Sequence, residues 1–145
     1  VTSAFWAALT LGRLGGAALS NRLSKTRLLV MAVLGSLTGA VVLTLSAGTV
    51  IPAIAAIILM GLSFGTIYPT SVAVTVSAFP ADQGKAVGLF TAFGSIGGLS
   101  LPYIGGILLE TVSPLSFNLF LVAGIGIMLI LLLTLAHNLQ RNARA

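Results

Sequence analysis

Few residues in this chain can do chemistry, and the most demanding of them is Arg13, a lone guanidinium set in an apolar run. It lies nine positions before Arg22, which at a helical rise of about 1.5 Å per residue puts it roughly 13 Å from the basic end of its segment. A cation at that depth needs a carboxylate, backbone carbonyls or water, and ionisable groups inside membrane spans are functional candidates by default. The two acids of the chain do not meet it. Asp82 is expected to cap the start of a later helix, and Glu110 to end that helix on the opposite side.

A second group gathers between Ser63 and Ser77. Ser63, Thr66, Thr70 and Ser77 recur at helical spacing along one stripe, and Phe64, Tyr68, Ser71 and Thr75 form the stripe beside it. Flat rings and hydroxyls together suit a sugar or another polyol. Arg13, Ser63, Phe64, Thr66, Tyr68 and Thr70 are therefore the expected lining of a substrate cavity. The same hydroxyls serve equally well to bond back to their own helix carbonyls or to tie helices together. Catalysis finds no support: there is no carboxylate pair at membrane depth, no Ser with a His or Lys on a plausible face, and His137 stands alone near the C-terminus. With no Cys and two acids, neither a metal site nor a cofactor is expected.

The elements that position these residues follow from composition. A chain of 145 residues with 57% hydrophobic and 6% charged residues cannot form the surface of a soluble domain, so a lipid bilayer is its expected partner. Its apolar runs cover about 1–20, 28–48, 51–78, 84–109 and 115–136, each long enough to cross a hydrocarbon core, which takes roughly 20 residues. Backbone groups in lipid must pair within their own segment, so the fold class is all-α with five transmembrane helices. Arg22, Lys25 and Arg27 fill the first gap, Lys85 the third, and Arg141 and Arg144 the tail, while the second and fourth gaps hold no Lys or Arg. That alternation places the tail (137–145) in the cytoplasm and Val1 outside, as in a multi-pass protein of the cytoplasmic membrane. The net charge of +5 is thereby absorbed by orientation, and no basic stripe is left for nucleic acid. The chain opens at Val1-Thr2-Ser3 without a basic leader, and is expected to be a fragment.

Glycines suggest how the helices pack. Gly12/Gly16, Gly35/Gly39, Gly61/Gly65 and Gly94/Gly98 are each four apart, so four helices carry a groove for a neighbouring backbone. The last run, rich in Leu and Ile, reads as an outer wall facing lipid. Pro69 follows Gly65, and Pro102 follows Gly98, by four residues; these units predict kinks, either fixed or working as hinges.

At these residues the chain resembles the major facilitator superfamily. The segment from Gly12 to Arg27 is similar to that family's cytoplasmic loop signature: Ala17 stands at its first Gly, Asn21 at its Asp, Arg22 at its Arg and Ser24 at its second Gly, with Lys25 and Arg27 closing it. Gly88, Gly97, Pro102, Gly105 and Gly106 keep the spacing of the antiporter signature of family helix five, with Leu101 in place of a Gly. Gly61 to Pro69 is similar to family helix ten, and Phe5-Trp6 with Gly12-Arg13 resembles the fucose-permease-like branch. The resemblance implies a partial transporter, preferably helices eight to twelve. It would carry a small solute by alternating access with a missing N-terminal half, its third helix lining the cavity and its second and fifth facing lipid. A fragment of a drug or metabolite antiporter (helices two to six) and a small structural or assembly membrane protein are the competing readings.

Overall fold

The computed structural model describes residues 2–46 and 48–142, and their regular structure is entirely helical. The helices are α1 (Thr2–Ser20), α2 (Lys25–Leu45), α3 (Val50–Ala78), α4 (Gln83–Thr111) and α5 (Pro114–Asn142). Val1, with its expected external position, and Arg144 of the expected tail lie outside the described residues. α2 starts at Lys25, ahead of the apolar run near residue 28, because Ser24 takes the N-cap and its hydroxyl accepts from the Arg27 amide at 3.4 Å. α5 continues past His137 because no Gly or Pro interrupts it before Asn142.

Four helices, α2 to α5, are long and apolar enough to cross a membrane. In α1, Arg13 together with Thr2, Ser3, Thr10 and Ser20 dilutes the apolar content, and the helix is attached to the bundle along its Ala8, Gly12 and Gly16 face. α3 is the hub, packed closely against α1 on one flank and α2 on another. α2 also packs on α5, whereas α4 touches α3 and α5 more sparsely.

The α1–α3 contact is backbone on backbone. A Cβ on Gly12 would overlap the Leu62 carbonyl oxygen, and one on Gly65 would overlap that of Leu9. Partner numbers rise together along this seam, from Phe5 over Gly61 to Gly16 over Thr66, so α1 and α3 run parallel. The α2–α3 seam is antiparallel, with Gly35 at Ser63 and Gly39 at Ala56 and Met60. Leu29, Val33 and Ala40 of α2 join Met60 and Ile67 of α3 and Ile125 of α5 in the core. α2 is thus core on one side, although it presents Met31, Leu34 and Val41 outward.

The groove expected at Gly94/Gly98 has no occupant among the described residues: a Cβ at either position would meet nothing within 4 Å. Spacing alone does not say which face of a helix meets a neighbour, and α4 turns Gly105 inward instead, under the ring of Phe117. The two Gly-x-x-x-Pro units therefore differ. Gly65→Ala is expected to destabilise the bundle by about 1–3 kcal/mol through overpacking, while Gly98→Ala leaves stability unchanged or slightly raised through helix propensity. Thermal unfolding of both variants in detergent micelles checks the contrast, and equal losses would show the seam to be mis-drawn.

Candidate functional site

α1 brings Arg13 to the seam without burying its charge. Gly12 is sunk against α3 and the Arg13 amide lies beside Gly65, yet the Arg13 side chain is exposed. Among the described residues the ion pair is Lys85 with Asp82 at 3.0 Å, and Arg13 has no carboxylate beside it. Asp82 occupies the N-cap position of α4, but its side chain makes no cap hydrogen bond and turns to Lys85 instead.

The hydroxyl stripe of α3 is directed into helix contacts. Thr66 Oγ1 donates to the Gly12 carbonyl oxygen at 2.9 Å, across the seam. Ser63 is buried with its hydroxyl against Gly35, and Thr70 is buried too. Further along, Thr75 bonds back to Ser71 and Ser77 to Ala73, each inside the helix. The aromatic stripe turns another way: Tyr68 is half exposed, and its ring lies 5.8 Å from that of Phe90 on α4. Phe64 is half-buried and faces α4 and α5. Pro69 and Pro102 are exposed, and both helices run unbroken through them.

The basic loop reaches the end of α3. Lys25 Nζ donates to Ser77 Oγ at 2.5 Å and lies 3.4 Å from the Ala73 carbonyl oxygen. A cation at a helix C-terminus meets the negative end of its dipole, so Lys25 ties the start of α2 to the last turn of α3. Arg22, Arg27 and Asn21 are exposed. The N-cap of α2 is Ser24, not Asn21.

Sequence reasoning missed a cleft of about 680 Å³ between α3, α4 and α5, walled almost wholly by carbon. Its signal was available: Gly105 and Gly106 on α4 and Gly124 on α5 leave space between Phe64, Phe117 and Phe120. Which faces would oppose one another was not.

An apolar helical bundle joined by short turns defines an integral, multi-pass membrane protein. The chain belongs to the Major Facilitator Superfamily, whose family profile matches residues 1–144, and it is therefore a member of a family of membrane transporters rather than of enzymes. No curated protein and no solved structure matches it.

Thr66→Val keeps the side-chain shape and removes the donor to Gly12, with an expected loss of about 0.6–1.7 kcal/mol, the range for hydrogen bonds between membrane helices. Thr44→Val, which removes only a bond to its own helix at Ala40, is the control. Unfolding of both in micelles should rank Thr66→Val as the more damaging, and the reverse order would count against the tie.

Proposed function

We propose that this chain is helices eight to twelve of a transporter that moves a small polar solute, a sugar or similar metabolite, by alternating access in symport with an ion. The observation that supports this reading is the exposed Arg13. A guanidinium at the centre of a membrane helix costs about 2.5–3.5 kcal/mol on insertion scales, so the face bearing it belongs against water or a counter-charge. Trp6, Thr10 and Arg13 recur at helical spacing on that face, and all three are exposed. Thr10 spends its proton on the Trp6 carbonyl oxygen at 3.0 Å, which leaves its oxygen free to accept. A ring, an acceptor and a guanidinium fork are suited to a polyol or a carboxylated solute.

Advancing about 100° per residue, this stripe and Tyr68 turn to the same side of the plane through the parallel helices α1 and α3. It is the side on which α4 packs. α1 and α4 do not touch, so a trough lies between them with α3 as its floor. In this reading a second bundle of the same transporter covers the trough and supplies the carboxylate for Arg13. Ser63, Thr66 and Thr70 then serve the cavity by holding its floor, and Tyr68 by lining it. The α1–α3 seam suits a body that rocks as one piece, with Gly98 and Pro102 as the freer bend. The basic loop and the C-terminus lie in the cytoplasm, and the membrane is the cytoplasmic one.

Arg13→Ala in the full-length transporter is expected to lower solute uptake into vesicles at least about tenfold, as for the loss of a charge-assisted hydrogen bond of roughly 1.5–3 kcal/mol. Membrane insertion should be intact and Arg13→Lys should retain part of the activity. Undiminished uptake in Arg13→Ala would reduce the residue to an anchor and remove the reading.

A further inference from the structure

Among the described residues, hydroxyl donors turn back on their own stretch of chain, the default for Ser and Thr in membrane helices. Thr10, Thr38, Thr44 and Thr75 each donate to the carbonyl oxygen four residues earlier, at 2.8–3.0 Å. Thr66 departs from the pattern. Its Oγ1 lies 3.5 Å from the Leu62 carbonyl oxygen of its own helix and 2.9 Å from that of Gly12 in α1, so its proton goes across the seam. The carbonyl it reaches is the one directly before Arg13.

The Gly12 carbonyl and the Arg13 amide belong to one planar peptide unit, and α3 holds both ends of it. Thr66 bonds the oxygen end. The nitrogen end rests on Gly65, where an added Cβ would stand 3.0 Å from the Arg13 nitrogen. Gly16 opens the way to the oxygen. In a helix the Gly12 oxygen also accepts from the Gly16 amide and keeps a second lone pair. A Cβ on Gly16 would stand 2.8 Å from the Thr66 methyl and 2.9 Å from its Oγ1. The glycine notch and the hydroxyl are thus one device.

Arg13 has need of it. Its side chain is exposed and makes no ion pair among the described residues, so where its guanidinium can reach is set by the backbone from which it grows. A binding group must stand within about 0.5 Å of its productive place, on support that is itself locked. We propose that Thr66 is the positioning residue for Arg13, fixing the Gly12–Arg13 peptide on α3 so that the guanidinium meets the solute at a set height in the trough. The inference deepens the solute reading and rests on it.

The chain has no cysteine of its own, so nitroxide labels go to chosen positions in the full-length protein, cleared of any cysteine elsewhere. Pulsed EPR in vesicles reads the distance from a label at Arg13→Cys to one at Leu34→Cys on the exposed side of α2. A label at Trp6→Cys, paired with the same reference, is the control. Thr66→Val should shift the mean distance from position 13 by about 1 Å or more, the scale on which a positioned group loses its contacts. The distance from position 6 should hold, and Thr66→Ser should restore that from position 13. Uptake of radiolabelled hexoses reads the consequence: in the unlabelled protein Thr66→Val should raise KM about threefold to tenfold, as for one net hydrogen bond, with the maximal rate kept. Thr66→Ser should return KM to normal, and Thr66→Val should add nothing to Arg13→Ala. An unmoved label at position 13, equal shifts at positions 6 and 13, or no recovery in Thr66→Ser overturns the proposal and leaves Thr66 a structural tie. So does an unaltered KM in Thr66→Val where Arg13→Ala is impaired. Hexose uptake that is absent, or indifferent to Arg13→Ala, counts against the solute reading, and the labels then decide the positioning alone. Should Thr66→Val fail to insert, Gly16→Ala crowds the same hydroxyl, and the same distances are read in it.

Discussion

The bundle depends on the close approach of α1 and α3 at Gly12 and Gly65. Lipid chains are as apolar as leucine, so no hydrophobic force separates helix contact from lipid contact, and packing and hydrogen bonding must hold the pair. Removing two Cβ atoms lets each backbone rest on a carbonyl of the other, at Leu62 and Leu9. Thr66 then reaches the Gly12 carbonyl oxygen at 2.9 Å. α1, the least apolar helix, is seated by this seam. The same seam turns one face of α1 inward and leaves Trp6, Thr10 and Arg13 on another.

A gradient of packing runs outward from that seam. α2 closes on α3 through Gly35 and Gly39 and supplies the wholly buried Val33 and Ser36. Lys25 adds a polar tie at the far end, across to Ser77. α5 rests on α2, and α4 contributes little to the core. The two Gly-x-x-x-Pro units lie at opposite ends of this gradient, Gly65 clamped beneath α1 and Gly98 in open space. A proline kink in a clamped helix is held, whereas one in a sparsely packed helix has room to bend. The tightly packed seams of α3 with α1 and α2 and the looser α4 thus differ in how far each helix is free to bend.

The sequence by itself determined the solvent, the class and the order of elements. Apolar runs of membrane length leave the backbone no option but helix, and the loop signature around Asn21 and Arg22 with the glycine spacing in α4 marked the family that the profile match over residues 1–144 then showed. Partnering was decided only in three dimensions. Gly12/Gly16 and Gly94/Gly98 have the same spacing, yet one pair forms the tightest seam and the other meets nothing. Ser63, Thr66 and Thr70 carry hydroxyls suited to a ligand, yet they lie buried in or beside helix contacts. The cleft beside Phe64 and Gly124 comes from three helices that do not close. Helical periodicity and the partition of apolar residues into lipid are local properties of a segment, legible one run at a time. Which face meets which neighbour is a property of pairs of surfaces far apart in the chain, and it exists only once the helices have packed.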